Sequence, residues 1–208
     1  MNIGKTTSDE VTDDGLLQNN EDNSEESNNK TINWSSKAIV CIDAPHGGSD
    51  TGQYDGTNYE KTQMLSLADS VKNELESAGV TVVMTRTSQN VNMSNQQRAQ
   101  VGNQNNAAAV IHLHCDSSDD SRVTGAHTIA IAKNNPYCPQ LYGASSSLAQ
   151  KVIQSYCQAT GIRNRGVSYR NDLTGLNWSQ VPAIYIEMGF LSHSREDQSL
   201  ASSSFQQK

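Results

Sequence analysis

The sequence predicts an α/β fold, a single domain in which helices flank a mostly parallel, twisted sheet. Three observations predict it. Short apolar, β-branched segments recur along the chain, segments with helical spacing of apolar residues alternate with them, and the order is strand, helix, strand, helix, strand. The length of 208 residues suits one domain. A body of this size buries roughly 70% of its unfolded surface, which is enough for a stable core.

Each element has its own signal in the sequence. The first apolar run stops at Pro-His-Gly-Gly, which is a turn signal, and Ser94 is placed to open a polar helix. Gly79 and Gly161 are placed to end the helices before them, and Pro182 lies near the start of the last strand, where a missing N–H is tolerated. The predicted strands are 38–43, 80–85, 108–114, 125–132 and 181–187, and the predicted helices are 59–78, 93–106 and 141–160.

The first 36 residues differ in composition from the rest of the chain. They carry eight carboxylates against two lysines, a net charge of −6, whereas the whole chain carries −7. Because this segment is also poor in apolar side chains, we expect 1–36 to be a disordered acidic tail or linker and 37–208 to be the folded domain. The nearly neutral remainder has no strongly basic stripe, so nucleic acid is not an expected partner.

The cellular compartment is left open by the residues themselves. No apolar run approaches the ~18 residues that span a bilayer, and no basic segment followed by an apolar one marks a signal peptide. Two interpretations therefore remain, a cytoplasmic protein and a chain that begins after a removed export signal. The four cysteines lack the paired spacing of a structural zinc site, and a disulfide between Cys138 and Cys157 is undecided.

Side chains that bind metals or move protons collect where the predicted strands end. His46 follows the first strand, His112 and His114 end the third, Glu187 ends the last, and Glu60 opens the first helix. Ligands of open α/β sheets bind beyond the carboxyl ends of the strands, so we expect these side chains at one rim.

Each of these residues also has a structural interpretation. His46 beside two glycines suits a turn, and Glu60 suits a helix N-terminus through the helix dipole. Glu187 is harder to explain in this way, since a carboxylate flanked by apolar residues must be paired, bound to metal or held at a raised pKa. The residues alone indicate a metal hydrolase, and no compact metal motif narrows the prediction further.

At the same residues the chain resembles the zinc N-acetylmuramoyl-L-alanine amidases of the amidase-3 family. The resemblance implies hydrolysis of the amide bond between N-acetylmuramic acid and L-alanine in peptidoglycan. It assigns one zinc ion to His46, Glu60 and His114, and the catalytic carboxylate to Glu187. The matching segments run in order over 38–197: IDAPHGGSDTG (42–52), YEKT (59–62), AGV (78–80), VVMTRTSQ (82–89), Arg98, VIHLHCDSS (110–118), GAHTIAI (125–131), NRGV (164–167) and PAIYIEMGFLSH (182–193).

The resemblance also implies the surroundings of the site. We expect a monomer that acts on peptidoglycan outside the cytoplasm, secreted, in the cell wall or tethered to a membrane, with its export signal removed. Asp43 is expected to orient a ligand histidine, and His112 is held in reserve as a supporting residue or an alternative ligand. No long insertion separates the fourth strand from the helix at 141–160, so we expect a site that is open without a regulator.

Three departures from the family pattern leave alternatives. Pro45 replaces the glycine before the first ligand histidine, Cys115 and Asp116 follow His114 where the family has His-x-Asn, and the chain stops before a full closing helix, which we interpret as a truncation. The alternatives are a catalytically silent peptidoglycan-binding module and a zinc peptidase that cuts stem peptides.

Overall fold

The computed structural model describes residues 38–54 and 59–208, so the predicted tail at 1–36 lies outside the described residues. The strands of this part are β1 (Ile39–Asp43), β2 (Thr81–Met84), β3 (Ala109–Asp116), β4 (Ala126–Ile131), β5 (Asn164–Arg170) and β6 (Ala183–Phe190). The helices are α1 (Glu60–Ser77), α2 (Asn95–Gln104), α3 (Tyr142–Thr160), α4 (Thr174–Asn177), α5 (Ser194–Leu200) and α6 (Ser203–Gln206).

The strands of the described part form one sheet in the order β2-β1-β3-β6-β4-β5. Neighbouring strands are parallel except β4 and β6, which are antiparallel. The predicted α/β fold with a mostly parallel sheet is therefore confirmed. Because β4 runs against β6, the first residues of β4 lie at the same edge of the sheet as the carboxyl ends of β1, β3 and β6.

The predicted helix ends are confirmed, and they show why these segments are helical. Ser94 accepts a hydrogen bond from the backbone of Gln97, whose side chain returns one to the backbone of Ser94, which completes a capping box at the start of α2. Gly79 and Gly161 follow α1 and α3 with φ values of 83° and 77°. This left-handed conformation costs glycine little, so both helices end where the sequence predicts.

The strand β5 was not predicted, and its burial explains why. Each of its seven residues is exposed or only partly buried, so it lacks the apolar pattern by which strands are recognised. It forms an edge of the sheet beside β4. The short helices α4, α5 and α6 were not predicted either, since four to seven residues are too few to show a helical period.

The two faces of the sheet pack against different helices. Ile42, Leu113 and Ile186 pack against α1 on one face, whereas Cys41, Val110 and Tyr185 pack on the other face against α2 and α4; these contacts include Val101 and Leu176. Side chains alternate between faces along a strand, so Asp43, His112, His114 and Glu187 belong to the face with α2 and α4.

Two further features bear on the predictions. No helix in the described ranges is long and apolar enough to span a membrane. All four cysteines lie in those ranges, and each of their thiols is free.

Candidate metal centre and active site

The structure brings His46, Glu60 and His114 together at the carboxyl edge of the sheet. Nε2 of His46 lies 3.0 Å from Oε2 of Glu60, and Nδ1 of His114 lies 3.2 Å from Oε1 of the same carboxylate. One ligand atom from each of the three residues falls within 4.8 Å of the others. They form a candidate metal site within the described part of the chain.

The local fold explains how residues so far apart in sequence converge. His46 follows β1 with φ at 58°, an uncommon value for a residue with a side chain. Glu60 is the first residue of α1, and its carboxylate accepts hydrogen bonds from the backbone N–H groups of Gln53 and Cys115. A Cβ on Gly52 would lie 2.5 Å from the His46 ring and 2.7 Å from the Glu60 carboxylate, so glycine is needed for this approach.

The chemistry of the donor atoms fits a divalent metal. Nδ1 of His46 donates to Asp50 at 2.9 Å, which leaves a lone pair on Nε2. That Nε2 is buried and makes no hydrogen bond, although the Glu60 carboxylate is only 3.0 Å away, so the two atoms approach without bonding each other. Two imidazoles and one carboxylate form one of the donor sets of catalytic zinc sites.

The electrostatics of the three residues are coupled. Burial opposes ionisation of Glu60, but the adjacent imidazoles of His114 and His46 outweigh it and hold the pKa of this carboxyl well below its usual range. Burial lowers the pKa of His46, and the carboxylates of Glu60 and Asp50 outweigh it and raise that pKa overall. Glu60 is therefore an anion in a buried position, which a bound cation stabilises.

Asp43 does not contact either histidine of the metal site, contrary to the expectation that it orients one of them. Its carboxylate accepts hydrogen bonds from His112 at 2.7 Å, Arg98 at 2.8 Å and Thr85 at 2.5 Å. Burial opposes its ionisation, but these partners hold the pKa of Asp43 well below its usual range. The carboxylate outside the predicted ligand set that contacts a ligand histidine is that of Asp50, at Nδ1 of His46.

Arg98 connects this buried cluster to the metal-site loop. Its guanidinium donates to the backbone carbonyls of Ala44 at 2.7 Å and His46 at 2.6 Å. Arg86 binds the same loop, donating to the carbonyls of Ala44 and Pro45 at 2.9 and 2.8 Å. The loop that contains the unexpected proline is thus held by two arginines.

His112 lies outside the group of converging donor atoms. It is fully buried, donates to Asp43 through Nδ1, and stacks on Tyr185 with ring centroids 4.3 Å apart. Tyr185 also stacks on His114 at 5.2 Å. His112 and His114 are two residues apart on β3 and therefore share a face of the strand, but their partners differ.

Glu187 lies beside the metal-site residues on the next strand. It is aligned with His114 across β3 and β6 and with His127 across β6 and β4. Burial raises the pKa of Glu187 to about 7, and the nearby carboxylates of Asp116 and Glu60 add to the effect while His114 opposes it. A carboxyl in this state takes up and releases a proton near neutral pH.

A cavity of about 270 Å³ opens beside these groups. Its lining includes His46, His114 and Glu187, together with Asp50 and Arg170. The last two were not among the predicted site residues. The only signal for Asp50 is its position four residues after His46, and Arg170 lies on the unpredicted strand β5.

Comparison with known proteins decides the family. The sequence profile of the amidase-3 family, described as N-acetylmuramoyl-L-alanine amidase, matches residues 40–208. The chain belongs to the N-acetylmuramoyl-L-alanine amidase family.

Two solved amidases resemble this structure. The catalytic domain of CwlV, an N-acetylmuramoyl-L-alanine amidase from Bacillus (Paenibacillus) polymyxa var. colistinus, is 30% identical, with 82% of this chain and 90% of that chain covered and a TM-score of 0.71. An N-acetylmuramoyl-L-alanine amidase from Clostridium difficile 630 is 29% identical, with 83% and 90% covered and a TM-score of 0.73. The predicted family, fold and enzyme class, a peptidoglycan amidase, are therefore confirmed.

One relative of the chain is named as a cell wall amidase. The probable cell wall amidase LytH of Staphylococcus saprophyticus is 28% identical over 161 residues, which are 76% of this chain and 50% of LytH. The chain thus spans about half the length of that relative. For this amidase, the roles of the individual site residues and the identity of the metal stay predictions.

Proposed function

We propose that this amidase cuts the bond between N-acetylmuramic acid and L-alanine with one zinc ion held by His46, Glu60 and His114. The observation that carries the proposal is the convergence of three metal-binding side chains beside the partly buried Glu187, which lines the same cavity. Three protein ligands leave one position for water or substrate, which is the pattern of catalytic zinc.

The metal and the protein divide the chemistry. A bound zinc ion would polarise the amide carbonyl and lower the pKa of a bound water to around 7. Glu187 is the group in the cavity that takes the proton from the attacking water, because its own raised pKa makes it a base near neutral pH. It then gives this proton to the departing amine nitrogen of L-alanine.

Other residues hold these groups in position. Asp50 fixes the tautomer of His46, so that Nε2 presents its lone pair to the metal. Arg98 and Asp43 hold the backbone of the His46 loop, and Tyr185 stacks on His114. The reacting groups therefore need little rearrangement when substrate binds.

We further propose that the enzyme acts outside the cytoplasm as a monomer. The relative LytH is named a probable cell wall amidase, and the substrate is a cell-wall polymer. Size-exclusion chromatography with light scattering tests the monomer, and fractionation of cells that produce the chain tests the location.

Mass spectrometry of peptidoglycan digests tests the function. We expect the zinc-loaded chain to release stem peptides that begin with L-alanine, and neither the chelated chain nor Glu187→Gln to release them. Glu74→Gln, which changes an exposed carboxylate on α1, is the matched control and should behave like the native chain. Cuts within the stem peptide would indicate the peptidase alternative, and binding without any cut would indicate the silent module.

A further inference from the structure

The cavity beside the metal-site residues reaches across the sheet to Arg170. The sheet order puts β4 between β6 and β5, so the lining passes from Glu187 over Ile129 to Arg170. Leu173 and Tyr185 also line this cavity. The arginine is thus a cation at the far side of a partly apolar wall, a frequent arrangement in ligand sites.

Asp172 fixes the position of the Arg170 guanidinium. Nε donates to Oδ1 at 2.8 Å and Nη2 donates to Oδ2 at 2.6 Å. Nη1 makes no hydrogen bond to any described residue. Its N–H groups therefore remain for a ligand. The side chain of Arg170 is 45% exposed and that of Asp172 is 67% exposed, so a ligand in solution can reach the pair.

The chemistry of the reaction sets the direction in which the peptide extends. Glu187 returns its proton to the amine nitrogen of L-alanine, so the peptide side of the bond lies on the Glu187 side of the metal ligands. In the sheet, β3 with His114 is followed by β6 with Glu187, then by β4 and by β5 with Arg170. Along β4, Arg170 is aligned with Ile131, four residues beyond the His127 that is aligned with Glu187. A stem peptide that leaves the metal ligands along this cavity passes diagonally over Ile129 of β4 toward Arg170.

The stem peptide carries carboxylates beyond L-alanine, and these are the groups that an arginine recognises. We propose that Arg170 binds a carboxylate of the stem peptide, so that the enzyme favours acidic stems over amidated ones. This inference rests on the proposed function. The planar guanidinium fork matches a carboxylate. The carboxylate of Glu187, which lines the same cavity, would repel an incoming carboxylate that no cation compensates. Two sources qualify, the α-carboxylate of the second residue and the C-terminal carboxylate of a tripeptide.

A second ion pair in the chain provides a matched control. Arg122 donates to Asp120 through Nε at 2.9 Å and through Nη2 at 2.9 Å, the same two-residue spacing and pairing as at Arg170. Its side chain is 88% exposed, and it does not line the cavity. Replacing either arginine removes one exposed positive charge, but only Arg170 is next to the expected path of the peptide.

Calorimetry with uncleaved ligands tests the proposal. The protein is zinc-loaded Glu187→Gln, and the ligands are N-acetylmuramoyl tripeptides with both carboxylates free, with the second residue amidated, or with the C-terminus amidated. We expect one of the two amidations to weaken binding about tenfold, as for a charge-assisted hydrogen bond. The loss should persist after Arg122→Gln and disappear after Arg170→Gln, and the amide that matters identifies the bound carboxylate.

Several results would overturn the proposal. Equal binding of all three ligands to the parent protein, no binding of any, or a preference that survives Arg170→Gln would each do so. In the active background, Arg170→Gln should raise KM for the acidic substrate and leave kcat unchanged. An equal fall in kcat on all three substrates would show that Arg170 supports the proton transfer by Glu187 and does not recognise a stem carboxylate. The calorimetry needs no turnover, so its outcome is separate from the hydrolysis test of the proposed function.

Discussion

Nδ1 of His46 lies 2.9 Å from Oδ2 of Asp50, four residues along the same turn. A carboxylate only accepts hydrogen bonds, so Nδ1 carries the proton and Nε2 presents a lone pair toward Glu60. Oδ1 of Asp50 accepts the backbone N–H of Gly52 at 3.1 Å. The turn therefore holds the carboxylate, and the carboxylate holds the imidazole in the tautomer that a metal requires.

We expect Asp50→Ala to weaken zinc binding about 10- to 100-fold, the usual cost of losing such a partner. Competition with a chromophoric chelator measures the dissociation constant. Asp120→Ala, which removes an exposed carboxylate outside the cavity, is the control and should bind zinc as the native chain does. An unchanged affinity in Asp50→Ala would show that His46 is oriented without it.

We expect Arg98→Ala to destabilise the fold by about 3–5 kcal/mol, since it leaves the buried carboxylate of Asp43 without its cation. It also removes the arginine donor from the backbone carbonyl of His46 and one of the two arginine donors from that of Ala44. Urea unfolding of the chelated protein measures the change. Arg122→Ala, which breaks an exposed pair, should leave the midpoint unchanged. A midpoint for Arg98→Ala equal to that of the control contradicts this account of the cluster.

The sequence predicts those parts of the fold in which burial leaves an apolar pattern. The segments that become β1, β3 and β6 are apolar because both of their faces are covered. β5 escapes prediction because its residues stay exposed or partly buried. The antiparallel direction of β4 is also absent from the pattern, since alternation of side chains is the same in either direction.

The candidate site shows a similar division. Strand and helix ends predict that His46, Glu60, His112, His114 and Glu187 lie at one edge, because the ends of parallel strands meet there. The choice of His114 rather than His112 as a ligand is implied by the resemblance to the amidase-3 family. The partners of Asp43 are not found, since Arg98 lies 55 residues away and the pairing depends on how α2 packs against β1. Sequence order therefore predicts which edge is reactive, whereas packing decides which carboxylate contacts which base.

The pKa of Glu187 predicts the pH dependence of hydrolysis. As a base, Glu187 must be ionised, and burial raises its pKa to about 7, so kcat/KM should fall as the pH drops below that value. A cation on the neighbouring ligands stabilises the carboxylate, and the acid limb should therefore lie at or below about 7. A pH–rate profile on N-acetylmuramoyl tripeptide measures it. An acid limb well above 7 would assign this ionisation to another group.

The same group should make stability depend on pH in the chelated protein. The folded-state pKa of Glu187 is raised from 4.5 to about 7, so between these values the folded chain holds a proton that the unfolded chain has released. The contribution of this group to stability is therefore largest below pH 4.5 and is lost as the pH rises to 7. A rise from 4.5 to about 7 corresponds to about 3 kcal/mol, at about 1.4 kcal/mol for each tenfold change in an equilibrium constant.

Glu187→Gln removes this titration and keeps the size of the side chain. In urea unfolding, we expect the variant to gain stability over the native chain as the pH rises from 4.5 to 8, by up to about 3 kcal/mol. Glu74→Gln, on the exposed face of α1, is the control for replacing a carboxylate as such. If the variant instead loses stability against the native chain over this range, the fold stabilises Glu187 as an anion. That result would contradict the raised pKa on which its role as the base is argued.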